Sequence, residues 1–441
     1  MNLLSSPLVT DLYELTMLQA YFEHGMGERA VFELFVRTLP SHRNFFVAAG
    51  LEQALEFASN LRFRDEELEW VEGSKLFRRG FAEELAKLRF TGDIHAMPEG
   101  TVFFPNEPIL RVTAPMPEAQ LLETRVLNLI HFETVVASKA ARSRLAAPGK
   151  GLIDFGLRRA HGAEAGVLAA RASYLAGFDG TSNVIAAPLY GIPVFGTMAH
   201  SFVQAHESER AAFERFASVF PENAVLLIDT YDTAEGARKA VEAARAFRMK
   251  GVRLDSGDLD ALSREVRRIL DQAGMQHAII FASGNLDEDR VAELVAASAP
   301  IDSFGIGTSL VTSADHPYLD AVYKLQEYAG RARRKRSTGK ATWPGRKQVY
   351  RARSEQGLFI RDVVTLEGDP QPGEPLLQLA MQGGRRLPAP PLEASRRRLL
   401  DQLASLPPAL HSLGRAAAPY PVEIAPALHA LAAEVDRGIR Q

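Results

Sequence analysis

From residue 151 the chain alternates two kinds of segment, and that alternation, without any repeat of sequence, limits the fold more than any other feature. Short apolar runs at 152–155, 192–195, 224–228, 251–254, 278–281 and 303–306 alternate with helical patterns, the later ones at 234–247, 259–273 and 288–297. A strand–helix rhythm of this kind predicts parallel strands joined by crossover helices. Six such units predict a (β/α) barrel, complete or incomplete, over residues 150–325. In such barrels chemistry sits in the loops that follow the strands' C-terminal ends.

The flanking segments have a different texture. Thr10-Asp11 reads as the cap of a helix over 12–24, followed by a strand over 30–36 and a helix over 50–60. Residues 93–115 have strand–turn–strand character, and a long helical pattern at 118–145 leads out of this first region. The barrel rhythm stops after Val322. A basic cluster follows (Arg331, Arg333, Arg334, Lys335, Arg336, Lys340, Arg346, Lys347), then strands at 348–353 and 357–364, a proline-rich stretch at 369–391 and a final helical pair. The expected organisation is α/β: a barrel domain over 121–329, and a second α+β domain built from 1–120 and completed by 330–441.

Composition narrows the function classes. The 441 residues are 46% hydrophobic, enough for a sizeable core. Fifty-one lysines and arginines against 54 acids leave a formal charge of -3, so no whole-chain charge draws the protein to nucleic acid or membrane. No cysteine is present, which excludes disulfides and thiolate metal sites. Residues 1–10 lack a basic region followed by an apolar one, and no apolar run approaches the roughly 20 residues of a membrane span. A cytoplasmic globular protein is expected.

The chemistry-bearing residues fall in the predicted strand-end loops. After 152–155 come Arg158 and Arg159, forked donors suited to phosphate or carboxylate, or part of a solvated loop. The loop at 177–183 holds small polar residues that either cap a helix or expose amides to an anion. His200 follows 192–195; an imidazole there is a nucleophile towards phosphorus, a base, a metal ligand or simply a packed side chain. His206 lies six residues on, which does not match a helical metal pair. Arg253 and Asp255, two apart, share a strand face, giving either a cation and carboxylate over a site or an internal salt bridge. Asp229 and Asp232 end another strand as metal-related groups or helix caps. The turns Ser283-Gly284-Asn285 and Gly305-Ile306-Gly307-Thr308 follow the last two strands. Two flexible turns late in a barrel suit a monophosphate. The basic cluster at 331–347 reads as a solvated loop or a polyphosphate contact.

In this order the segments resemble the nicotinate phosphoribosyltransferase family. The likeness begins at Thr10-Asp11-Leu12-Tyr13-Glu14-Leu15-Thr16-Met17 and Phe32-Glu33-Leu34-Phe35, and runs through the 154–162, 177–183, 196–202, 251–259 and 304–308 segments. It ends at Pro344-Gly345-Arg346-Lys347-Gln348-Val349-Tyr350 and Pro419-Tyr420-Pro421-Val422-Glu423. The resemblance implies an incomplete barrel of the type II phosphoribosyltransferase kind and a homodimer with shared active sites. It implies conversion of nicotinate and phosphoribosyl pyrophosphate to nicotinate mononucleotide and pyrophosphate, with ATP hydrolysed and Mg2+ required. By the same resemblance His200 is the histidine that ATP phosphorylates, and Asp255 the carboxylate near ribose and pyrophosphate. Tyr13 from the partner subunit and Phe155 sandwich the pyridine. Thr197 and Arg253 contact nicotinate, with Arg158 and Ser182 as neighbours, and Ser283, Gly284, Gly307 and Thr308 hold the 5-phosphate. The metal ligands are left unassigned. Serine at 182, where an acid is expected in nicotinamide-using relatives, points to nicotinate. The alternatives are a nicotinamide-preferring transferase, a different barrel enzyme acting on a sugar phosphate, and a non-catalytic nucleotide binder.

Overall fold

The apolar runs after residue 150 form a six-stranded parallel sheet in the computed structural model, which describes residues 5–439. Residues 1–4, part of the N-terminal stretch read above for a leader, lie outside the described residues. In chain order the strands are Gly151–Asp154, Gly180–Thr181, Val225–Leu227, Gly251–Leu254, Ile279–Ala282 and Ser303–Ile306. In space the order is second, first, sixth, fifth, fourth, third. Each neighbouring pair is parallel, and Ser303 opposite Gly151 brings the last strand beside the first. The sheet wraps like a barrel but does not close: among the described residues no ladder joins Gly180–Thr181 to Val225–Leu227. The rhythm of strands and helices leaves a complete or an incomplete barrel open, and the incomplete one, which the family resemblance implies, is the one formed.

Two departures have local causes. The run at 192–195 makes only a single bridge, Thr181 to Val194. Pro193 has no N–H to donate, so a ladder cannot extend through it; its carbonyl accepts from Thr181 N–H (3.1 Å), and Phe195 N–H donates to Thr181 O (2.9 Å). The 177–183 segment, read as a loop, contains the second strand. Gly180 permits this, because a Cβ there would lie 2.3 Å from the Pro193 carbonyl oxygen.

Three of the crossover helices begin where short acidic side chains cap them. Asp232 accepts from Glu235 N–H (2.8 Å) ahead of Thr233–Ala243. Asp258 accepts from Asp260 and Ala261 N–H (3.1 and 3.3 Å) ahead of Leu259–Gln272. Asp287 accepts from Arg290 N–H (2.8 Å) ahead of Glu288–Ala296. Each cap is worth about 1 kcal/mol and sets where its loop ends. For Asp232, the cap reading is the one realised.

The chain divides into two compact units, at Val135/Val136 inside the helix Glu123–Ala146 and at Pro317/Tyr318. The sequence reading put these divisions at 120/121 and 329/330. Residues 318–329 sit with the N-terminal segment because the strand Ala321–Tyr328 pairs along Arg29–Val36. The unit holding both chain ends has a seven-stranded antiparallel sheet with Arg29–Val36, Pro108–Pro115 and Asp93–Ala96 at its centre. Strands from beyond residue 320 flank them on both sides. Buried ion pairs tie the segments of this unit together: Lys347 Nζ to Glu33 (2.8 Å) and Arg351 to Asp362 (2.5 Å). In the basic loop, Arg334 and Arg336 both pair with Asp436 (3.6 and 3.4 Å), and Arg346 pairs with Glu327 (2.8 Å). A cavity of about 810 Å³ lies beside this loop, lined by Arg331, Arg333, Arg334, Leu366, Leu431 and Glu434 among others.

Candidate active site

The C-terminal ends of the parallel strands carry one connected polar cluster centred on Arg253. Residues 253 and 255 leave the Gly251–Leu254 strand on the same side, as their spacing requires. Arg253 Nη2 donates to Asp255 Oδ1 (2.6 Å) and Nε donates to Ser283 Oγ (2.8 Å). Nη1 reaches Thr197 Oγ1 (3.3 Å) and the Met198 carbonyl (3.5 Å) on the other side of the unclosed gap. The Ser283 hydroxyl donates to the Asp255 oxygen that the guanidinium also holds. The Arg253–Asp255 salt bridge is formed, and it is open rather than sealed in the interior: the Asp255 side chain is 26% exposed.

His200 begins the short helix His200–Gln204. Its Nε2 lies 3.8 Å from Asp255 Oδ2, and its Nδ1 lies 3.1 Å from the Thr230 hydroxyl. With the ring 39% exposed, this histidine is held at two corners and accessible, not packed away. Asp229 supports the next loop from beneath: its Oδ2 accepts from Asp255 N–H (2.9 Å) and from the Ser256 hydroxyl (2.6 Å). Its Oδ1 is buried with no hydrogen-bond partner.

Burial opposes ionisation of Asp255, but the Ser283 hydroxyl and the Arg253 guanidinium outweigh it and hold the carboxyl below its ordinary value. Asp154 behaves in the opposite way. It is buried under the first strand end, and burial pushes it up to about 6 despite bonds from Thr181 Oγ1 (2.7 Å) and Gly156 N–H (2.8 Å).

One wall of the cluster is aromatic. Phe155 and Phe281 lie 5.5 Å apart between ring centres, and the Arg253 guanidinium sits 5.4 Å from the Phe155 ring centre. Gly305 leaves room for that ring, since a Cβ there would lie 2.8 Å from it. The two late turns are as tightly fitted. Gly284, at φ +90°, has a virtual Cβ 1.9 Å from the Asp255 carbonyl oxygen, and that of Gly307 lies 2.9 Å from the Phe155 carbonyl oxygen. Bare backbone is required at both positions.

Phe155, Thr197, His200, Arg253, Asp255, Ser283, Gly284 and Gly307 thus belong to one neighbourhood. Thr308 begins the short helix Thr308–Val311 and is exposed. Ser182 follows the second strand, its N–H bonded to the Asp154 carbonyl (2.8 Å). Arg158 is exposed on the turn Leu157–Arg159 after Phe155. Tyr13 belongs to the other unit, on the helix Leu12–Glu23, with 45% of its surface exposed. Sequence reasoning missed Thr230, Asp154 and Phe281; for each the available signal was position at a strand end.

Among the described residues no group of three histidine or acidic side chains is arranged to hold a metal ion, and no helix is long and apolar enough to cross a membrane.

Comparison with known proteins points to one family. Residues 8–131 match the nicotinate phosphoribosyltransferase N-terminal domain, and residues 151–346 match the nicotinate phosphoribosyltransferase family. A nicotinate phosphoribosyltransferase of Mycobacterium tuberculosis is 51% identical over 423 residues, covering 95% of this chain and 91% of its own. One from Bacillus subtilis is 43% identical over 359 residues, covering 79% and 73%. Among solved structures, human nicotinic acid phosphoribosyltransferase superposes with a TM-score of 0.86 at 31% identity, covering 97% of this chain and 99% of its own.

Proposed function

The chain belongs to the nicotinate phosphoribosyltransferase family, and on that premise we propose that it makes nicotinate mononucleotide from nicotinate and phosphoribosyl pyrophosphate in NAD salvage, driven by ATP through a phosphohistidine at His200. The observation that carries this reading is the Arg253 cluster: one guanidinium joins Thr197, Asp255 and Ser283 beside the Phe155 ring, with His200 3.8 Å from Asp255.

The pyridine ring stacks on Phe155, and its carboxylate takes the loosely held Nη1 edge of Arg253 with the Thr197 hydroxyl. Serine at 182 puts no second carboxylate against it. Tyr13 of the partner subunit closes the other face of the ring in a homodimer, and Arg158 lies at the mouth. The 5-phosphate of the donor rests on the backbone N–H groups of Gly284, Gly307 and Thr308, where the glycines let it approach closely; the Ser283 N–H is already taken by the Leu254 carbonyl (2.8 Å). The ring nitrogen then bonds to ribose C1 as the bond to the pyrophosphate oxygen breaks. Positive charge grows on the ribosyl centre, and Asp255, ionised and fixed by Arg253 and Ser283, stabilises it.

In the coupling step a His200 nitrogen bonds to the γ-phosphorus of ATP and the bond to the β-phosphate oxygen breaks, releasing ADP. Water later takes the phosphoryl group, releasing phosphate. Thr230 and Asp255 orient the ring for this exchange.

The residues present fit a magnesium ion held mainly by substrate oxygens. Asp229 Oδ1 is a buried acceptor without a partner, and Asp255 Oδ2 is turned to the open side, so these two carboxylates would be the protein's share. When bound, the ion neutralises charge on the pyrophosphate group. An enzyme that uses ATP and phosphoribosyl pyrophosphate works where both are made, so a cytoplasmic location goes with this reading.

The test is an assay of the purified protein with nicotinate or nicotinamide, each with and without ATP. Turnover of nicotinate, raised by ATP, is expected. Turnover of nicotinamide alone would move the chain to the other substrate, and no turnover of either would end the proposal.

A further inference from the structure

Behind the two phosphate turns lies a buried set of charges that the proposed chemistry does not use. Lys139 and Arg142 project from the helix Glu123–Ala146. Lys139 Nζ donates to both oxygens of Glu288 (3.0 and 2.8 Å) and to Asp315 Oδ1 (2.8 Å). Arg142 Nε donates to Glu288 Oε1 (3.0 Å). Lys139 is 2% exposed, Arg142 5% and Glu288 1%. The two cations face Glu288 and Asp315, and the Asp289 carboxylate also feels both, so the protein's own acids answer their charge.

Its position in the chain gives it a role. Glu288 opens the helix that follows Ser283-Gly284-Asn285, and Asp315 follows the short helix that Gly307-Thr308 begins. One ammonium group therefore clamps the element behind the first phosphate turn to the element behind the second. A single hydrogen bond makes the same link nearer the surface, from Ser309 Oγ to the Leu286 carbonyl (2.6 Å). Two non-glycine residues in these segments hold left-handed backbone, Asn285 at φ +51° and Ser313 at φ +44°. An anion shared by amides of two separate turns binds well only if the turns keep their spacing.

We infer that Lys139 is a positioning residue for the phosphate end of the phosphoribosyl donor, acting by holding the 283–285 and 307–308 turns in register. The inference rests on the reading that these turns take the 5-phosphate. Removing the ammonium leaves Glu288 with Arg142 but cuts its link to Asp315, so the two elements lose the one group that joins them.

The experiment compares Lys139→Met, Lys139→Arg and Asp315→Asn with the full-length parent. It measures KM for phosphoribosyl pyrophosphate, KM for nicotinate, ribose 5-phosphate binding by calorimetry, and melting temperature. Lys139→Met is expected to raise the donor KM by about tenfold and weaken ribose 5-phosphate in parallel, with the nicotinate KM changed by less than about twofold. Lys139→Arg should recover most of the loss. Asp315→Asn cuts one arm at a partly exposed carboxylate and should move the donor KM the same way by about threefold, which keeps the test open if Lys139→Met does not fold. A lower melting temperature with both KM values unchanged, or with both raised equally, would overturn the inference. Gly284→Ala separates the two levels. If it raises the donor KM while the Lys139 and Asp315 variants do not, only the clamp falls; if it too leaves the donor KM unchanged, the phosphate reading of the turns falls with it.

Discussion

Replacing Arg253 with alanine should uncouple recognition of the substrate's acid group from the rest of the site. Two arms of the guanidinium are firmly engaged, Nη2 with Asp255 at 2.6 Å and Nε with Ser283 at 2.8 Å. The third, Nη1, makes contacts of 3.3 and 3.5 Å, near the outer limit of a hydrogen bond, so it is the edge an incoming carboxylate can take over. A hydrogen bond to a charged group is worth about 1.5–3 kcal/mol, so its loss should raise the nicotinate KM roughly 10- to 100-fold. Nicotinamide has no carboxylate to lose, so its KM should change far less and the preference between the two should collapse, while kcat falls with either substrate because Asp255 loses its anchor. Lysine at 253 keeps charge without the fork and should fall between. Steady-state rates at saturating phosphoribosyl pyrophosphate and ATP measure all of this. An alanine variant whose nicotinate KM stays within about twofold of the parent, with its preference intact, would refute the reasoning.

Further expectations follow from neighbouring contacts. Gly284→Ala places a methyl group 1.9 Å from the Asp255 carbonyl oxygen, so backbone must move; the donor KM should rise by about tenfold or more. Asp229→Asn weakens the acceptor of Asp255 N–H and Ser256 hydroxyl, and kcat should fall about tenfold with melting temperature little changed. Asp154 is held at about 6, above its unfolded value, so its contribution to stability is full in acid and is lost as pH rises through about 6. Melting curves should therefore show the parent losing ground to Asp154→Asn between pH 4 and 7, and a constant difference across that range would contradict this.

Much of the site was legible because barrel chemistry follows from strand ends, and strand ends follow from apolar runs. Arg253 and Asp255 declared themselves by a spacing of two, and the late glycines by the tightness of the turns they occupy. The second strand was not legible: Gly180-Thr181 is too short for any pattern, and it exists because a neighbouring backbone leaves no space for a side chain. Thr230 became visible only when its loop met His200 across the sheet. Lys139 looked like any polar residue on a long helix, because its partners lie about 150 residues away in contacts that no local pattern encodes. That the other unit joins both ends of the chain was expected from the break in pattern, but which strands pair in its antiparallel sheet was hidden for the same reason.

The most direct measurement is transfer of label from γ-labelled ATP to the protein, with the labelled peptide mapped. Label that is acid-labile, sits at residue 200, disappears in His200→Ala and is discharged when nicotinate and phosphoribosyl pyrophosphate are added is the predicted result. Label retained at the parent's level in His200→Ala would contradict it.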